Sequence, residues 1–323
     1  MKLHRHSDDH NSHPNDWAGG VSVNNIVKRY GSKKNVVEAL HGISFEVNKG
    51  ELFGIIGPDG AGKTSLFRIL TTLLLADSGT ASVNGLDVVK DYKKIRQRVG
   101  YMPGRFSLYQ DLTVQENLDF FATVFKTSIK ENYDLVKDIY SQIEPFKHRK
   151  AGKLSGGMKQ KLALSCALIH RPSVLFLDEP TTGVDAVSRK EFWEMLKRLK
   201  QQEITIVVST PYMDEASICD RIALMQSGSL LSVNTPGGVV EAFGKKLVAV
   251  KSENMRTLLN DLLQFEDIED AYPFGEYHHA VMKNGDEKEL ENHLNQTGRK
   301  FEMKSAEPNI EDCFIALMKK RNE

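Results

Sequence analysis

The chain has 323 residues, 43 of them basic and 43 acidic, so its formal net charge is zero. That balance argues against a nucleic-acid partner, which would call for a basic excess, and no apolar stretch approaches the roughly 20 residues of a membrane span. Three widely spaced cysteines (Cys166, Cys219, Cys313) fit reduced thiols rather than a disulfide framework or zinc site, and the length suggests two domains at about 150 residues each.

Residues 1–19 are polar, lack an apolar signal core and carry His4, His6, His10 and His13. They read as a disordered leader on a cytosolic protein, with weak metal binding as the alternative to a solvated tail. Val21, Val23, Ile26 and Val27, then Ile43, Phe45 and Val47, mark short β segments. Residues 51–56 form a buried-strand run, after which glycines recur from Gly57 to Gly62. Leu66, Ile69, Leu70, Leu73 and Leu74 follow at the spacing of one helix face. Helical patterning dominates residues 112–168, interrupted at Pro145. Val174–Leu177 and Ile204–Val208 read as two further buried strands with a helix over residues 188–200 between them. Buried strands alternating with helices predict an α/β fold with a largely parallel sheet covered on both faces. A boundary is expected at the Pro/Gly cluster around residue 235. Residues 236–323 then read as a small α+β unit whose order resembles a split β-α-β repeat.

Gly57, Pro58, Asp59, Gly60, Ala61, Gly62, Lys63 and Thr64 match G-x-x-x-x-G-K-[ST] in full, with Ser65 next on the helix. Glycines let backbone N–H groups converge on phosphate oxygens, and the helix start adds unsatisfied donors and the positive dipole end. Lys63 is placed to reach the β- and γ-phosphates of a bound nucleotide, and Thr64 to ligate Mg²⁺. The strand 174–177 runs into Asp178 and Glu179, a second metal ligand and a base for an attacking water. The bland reading is a glycine-rich turn and an incidental acidic pair. The strand–loop–helix setting argues against it.

Leu154-Ser155-Gly156-Gly157-Met158 closely resembles the LSGGQ signature of ABC ATPases. Physically, Ser155, Gly156 and Gly157 offer another anion site at a helix start. The resemblance spans residues 21–233 and implies an ABC ATPase domain, residues 20–235, with a mixed sheet and a helical subdomain. It implies that the signature completes the ATP site of a second ATPase chain. It also assigns Tyr30 to stacking on adenine and residues 183–185 to the dimer interface. Order and content are similar to ATP-binding subunits of ABC-2 type exporters, and residues 307–318 look like the end of their C-terminal accessory domain. The implied partner is a separate ABC-2 permease, holding the chain at the inner face of the cell membrane. Phe106, Tyr109 and Phe125 are expected to be exposed and to form a groove for a permease helix, with burial in the subdomain core as the alternative.

Two positions depart from the pattern. Gly104 stands where a Gln usually contacts metal and water, and Pro211 stands where a His usually contacts the γ-phosphate. Glycine has no amide side chain, and proline has neither imidazole nor N–H. Gln110 is the nearest substitute in sequence. Either hydrolysis is merely slowed, or this chain pairs with a complete second ATPase. A homodimer, a soluble non-transport ABC ATPase and an ATP-binding regulatory subunit stay open as alternatives.

Overall fold

The computed structural model describes residues 19–32, 35–284 and 286–322. Apart from Gly19, the predicted leader lies outside them. Contacts divide the chain into two units, at Thr235/Pro236.

The first unit runs β1 (Val21–Ser32), β2 (Asn35–Val47), β3 (Leu52–Ile56), α1 (Lys63–Leu70), β4 (Ser78–Val83) and β5 (Leu86–Asp87). Then come α2 (Tyr92–Arg96), β6 (Val99–Met102), α3 (Val114–Val124), α4 (Tyr133–Tyr140) and α5 (Gly156–Leu168). It closes with β7 (Val174–Asp178), α6 (Ala186–Lys200), β8 (Thr205–Thr210), β9 (Arg221–Gln226) and β10 (Ser229–Asn234). Among the described residues the strands form an antiparallel four-stranded sheet, β2-β1-β4-β5, and a six-stranded sheet, β10-β9-β3-β8-β7-β6. The second is parallel except where β10 pairs with β9. One core joins both sheets and α1 through residues such as Val23, Phe45, Phe53, Phe67 and Phe176.

β3, β7 and β8 are buried along their whole lengths, as near-continuous Val/Ile/Leu runs require inside a parallel sheet. In register, Ile56 lies opposite Thr210, and Asp178 opposite Ser209. The carboxyl ends of three neighbouring strands therefore open side by side. This is where ligands collect in α/β sheets.

The apolar stripe on α1 overruns the helix. α1 ends at Leu70, Thr72 takes φ 64°, and Leu73 is 57% exposed. Two consecutive β-branched threonines give the chain little helical preference there. The helical stretch 112–168 is broken into α3, α4 and α5, with Pro145 in a short 3₁₀ turn (Glu144–Phe146).

The second unit runs α7 (Pro236–Glu241), β11 (Leu247–Ser252), α8 (Met255–Gln264), β12 (Ile268–Phe274) and β13 (Tyr277–Met282). α9 (Glu287–Gln296), β14 (Phe301–Ala306) and α10 (Ile310–Asn322) complete it. The sheet order β12-β13-β11-β14 is that of a ferredoxin-like split β-α-β unit. Its apolar layer comes from alternate strand residues, Val248, Val250, Ala280 and Met282, packed against Leu258, Leu262, Leu290 and Leu294. Among the described residues no helix is long and apolar enough to cross a membrane.

Candidate functional site

The loop 57–62 joins β3 to α1. Gly62 caps the helix at φ 100°, and a Cβ there would lie 2.5 Å from the Ala39 carbonyl oxygen. Only glycine fits both demands. No side chain caps α1, so its first N–H groups are left to face the loop. Lys63, 3% exposed, points back into that loop. Its Nζ donates to the carbonyls of Gly57 (2.7 Å) and Pro58 (2.9 Å) and pairs with Glu179 Oε1 at 3.0 Å. A desolvated ammonium must be compensated, and one carboxylate with two carbonyls does so here. Pro58 and Ala61 close the loop (Ala61 N–H to Pro58 O, 3.2 Å), leaving Asp59 and Gly60 exposed at its tip. Thr64 and Ser65 occupy the first turn of α1, half-buried. Ser65 Oγ lies 3.0 Å from the hydroxyl of Tyr30, a residue 39% exposed. Tyr30 is therefore held beside the start of α1, partly exposed, with the Lys28 ammonium over its ring at 5.7 Å.

Asp178, 2% exposed, is the last residue of β7, and its Oδ1 accepts from Ser209 Oγ at 2.7 Å. The same hydroxyl accepts from the Glu179 N–H at 3.0 Å, while that N–H also reaches the Ser209 carbonyl at 3.1 Å. Glu179 is thereby fixed at φ 50°, the left-handed region, at a cost of about 1–2 kcal/mol for a non-glycine residue. Such strain is typical of functional positions. Nearby, burial and the Asp178 charge push the Tyr101 hydroxyl up to about 12, opposed by Arg68. Among the described residues no three His, Cys, Asp or Glu side chains group as a metal site. The hard oxygens of Thr64 and Asp178 instead suit Mg²⁺, which characteristically takes one or two protein ligands and completes its shell with phosphate and water.

Ser155 caps α5, its hydroxyl accepting from the Met158 N–H at 3.3 Å. A Cβ on Gly157 would meet Ser188 Oγ at 2.8 Å, and one on Gly156 would lie 3.4 Å from the Gly183 carbonyl oxygen. The signature therefore packs on the start of α6, where Asp185 is N-cap and accepts from Ser188 N–H at 3.0 Å. Beyond any anion role, Gly157 is demanded by this close helix approach. The motif pattern alone does not reveal that.

A Cβ on Gly104 would lie 3.0 Å from the Asp178 carbonyl oxygen and 3.8 Å from Glu179 Cβ. Position 104 thus faces the acidic pair and contributes no side chain to it. Pro211 directly follows Thr210, whose carbonyl accepts from Gly57 N–H at 3.2 Å. Gln110 is elsewhere, with its carbonyl bonded to Gly152 N–H at 2.9 Å and its Oε1 3.7 Å from the Cβ position of Gly152. Of the three aromatics expected to be exposed, only Tyr109 is (50%). Phe106 and Phe125 are half-buried, the first beneath Lys159, the second stacked on His170 at 3.8 Å. Phe120, against Tyr109 at 4.9 Å and 39% exposed, is the aromatic that the sequence reading left out.

A glycine loop closing on a buried lysine, beside two carboxylates at the end of β7, defines a P-loop nucleotide site on an α/β sheet. A family model described as ABC transporter matches residues 40–182. The probable multidrug ABC transporter ATP-binding protein YbhF of Escherichia coli is 36% identical over 304 residues, covering 92% of this chain and 52% of that protein. Nod factor export ATP-binding protein I of Burkholderia lata is 37% identical over 249 residues, covering 76% and 81%. The linearmycin resistance ATP-binding protein LnrL of Bacillus subtilis is 31% identical over 322 residues, covering 92% and 97%. The chain spans about half the length of the first of these relatives. A solved ATP-binding cassette, dimeric in a post-hydrolysis state with ADP and Pi, matches with a TM-score of 0.61 at 25% identity, covering 67% of this chain and 98% of that one. The chain belongs to the ABC transporter family.

Proposed function

We propose that this chain is the ATP-binding and ATP-hydrolysing motor subunit of an ABC-2 type exporter, acting at the inner face of the membrane through a separate permease. The convergence of Lys63, Asp178 and Glu179 at the open strand ends carries the reading. The names of the relatives, which speak of multidrug transport, Nod factor export and linearmycin resistance, support the export role.

In this reading Tyr30 stacks on adenine, the loop 57–62 cradles the phosphates, and Lys63 exchanges its carbonyl and Glu179 partners for β- and γ-phosphate oxygens. The Thr64 hydroxyl and the Asp178 carboxylate would hold Mg²⁺, which would neutralise phosphate charge. Losing Lys63 to the substrate frees the Glu179 carboxylate, which then takes a proton from the attacking water. Gly104 and Pro211 supply neither the amide nor the imidazole that would orient that water and steady the γ-phosphate. The chain's own site is therefore slow, while Ser155, Gly156 and Gly157 complete a competent site on a second ATPase chain that has both. Residues 236–323 serve as an accessory unit. A cavity of about 540 Å³, lined by Tyr101, Met102, Leu108, Phe121, Phe125 and His170 among others, is the seat for a permease segment.

Gly104 and Pro211 also favour a second reading, an ATP-binding regulatory subunit with little hydrolysis. The retained Glu179 favours the first. Co-purified with a partner ATPase carrying Gln and His at these positions, the chain raises ATP turnover. Ser155→Arg in this chain removes that rise, because the side chain fills the anion site on α5, and leaves Mg-ATP binding at Lys63 unchanged. Turnover that ignores Ser155→Arg would reject the composite site.

A further inference from the structure

Behind the strand ends lies a second charged centre that the motifs do not include. Glu215, 2% exposed, sits in the 3₁₀ turn Met213–Ile218. Its carboxylate accepts from Thr181 Oγ1 (2.9 Å to Oε1), from Thr210 Oγ1 (2.5 Å to Oε2) and from Arg189 Nε (3.1 Å to Oε1). Both threonines are fully buried. Thr181 is two residues beyond Glu179, Thr210 immediately precedes Pro211, and Arg189 lies in the first turn of α6. The Arg189 guanidinium lies over the Tyr212 ring at 4.1 Å, and Nη2 reaches Asp214 at 3.1 Å. Its backbone N–H donates to the Asp185 carbonyl at 2.9 Å. The carboxylate therefore ties three segments together, the turn after Glu179, the end of β8 and the helix start on which Gly157 packs, and Arg189 carries the link on to Tyr212 and Asp214.

A buried carboxylate with this many donors is costly to leave half-satisfied, so its partners are held as a unit. A solvated surface pair would not draw two buried hydroxyls onto a residue without water access. We propose that Glu215 is a positioning residue for ATP turnover. Through Thr181 and Thr210 it fixes the backbone carrying Glu179 and Pro211, and through Arg189 it sets that frame against the interface loop 183–185. Among the described residues its side-chain hydrogen bonds go to Thr181, Thr210 and Arg189 and none to the loop 57–62 or Lys63, which it meets only at one remove through the Thr210 carbonyl on Gly57 N–H, so its loss falls mainly on turnover and little on nucleotide affinity. The inference rests on the ATPase reading above.

The test compares the full-length wild-type chain with Glu215→Gln, Arg189→Lys and Lys63→Ala, measuring Mg-ATP affinity, melting temperature, and kcat and KM with radiolabelled ATP. Glu215→Gln keeps an acceptor for the hydroxyls but opposes its amide to Arg189. It is expected to lower kcat by about tenfold with KM and affinity within about twofold, the scale of a small misplacement of catalytic groups. Arg189→Lys, which keeps the charge but loses the fork, gives a smaller fall of the same kind. If Glu215→Gln does not fold, Thr181→Val, which deletes one hydroxyl, carries the same comparison. Unchanged kcat in the folded variants, or equal losses of kcat and affinity, would overturn the positioning role. Lys63→Ala that binds Mg-ATP as tightly as the wild type would instead overturn the ATPase reading beneath it.

Discussion

Replacing Gly104 with Gln and Pro211 with His together raises the ATP turnover of the purified chain about tenfold or more, without changing Mg-ATP affinity. Position 104 faces the Asp178–Glu179 pair from 3.0 and 3.8 Å, so a side chain placed there enters the space where water and metal must meet the carboxylates. Position 211 follows β8 beside the entry to the glycine loop, where an imidazole donates toward the terminal phosphate. Single preorganised donors of this kind change kcat by roughly a hundredfold or more. Part of that gain is lost here, because the Asp178 carbonyl must yield a few tenths of an ångström to admit a Cβ at position 104. Each single replacement gives less than the pair, since one group orients the water and the other steadies the phosphate. Steady-state turnover of the two single variants and the double variant checks this. A double variant no faster than wild type would place the slow step elsewhere.

Lys63→Ala lowers Mg-ATP affinity by about tenfold or more. A charge-assisted hydrogen bond contributes about 1.5–3 kcal/mol, and each 1.4 kcal/mol is tenfold in affinity. The lysine must leave two carbonyls and Glu179 to reach phosphate, so only the surplus over those contacts counts. Removing it also breaks the ion pair with Glu179, yet the fold persists because Asp178, Ser209 and the Glu179 backbone stay bonded. Titration with a fluorescent ATP analogue, beside a thermal melt, measures both effects.

Much of this site could be read from the chain alone because its chemistry is local. Gly57 to Thr64 are consecutive, and Asp178 and Glu179 end a strand that announces itself by burial. The split β-α-β unit was legible for the same reason, since each element shows its own period. Contacts made at a distance were not legible. The stack of Phe125 on His170, which half-buries an aromatic expected to be exposed, joins residues far apart in sequence. Gly157 against Ser188 and Glu215 against Thr181 are pairings that neither periodicity nor composition encodes. The end of α1 was misjudged because leucine spacing continues past a turn that Thr72 has already made. Glu215 left a faint signal, an acidic residue in the segment following a buried strand, and only its burial shows that it is a centre rather than a surface charge.

On the proposed function, the chain binds Mg-ATP well and cleaves it poorly by itself. The fate of ATP bound to the purified wild-type chain tests this most directly, followed as conversion to ADP over time beside the Gly104→Gln/Pro211→His variant. The nucleotide on the wild-type chain is expected to remain ATP over the period in which the double variant converts most of it. Brisk, cooperative conversion by the wild-type chain alone, abolished by Glu179→Gln, would contradict the account.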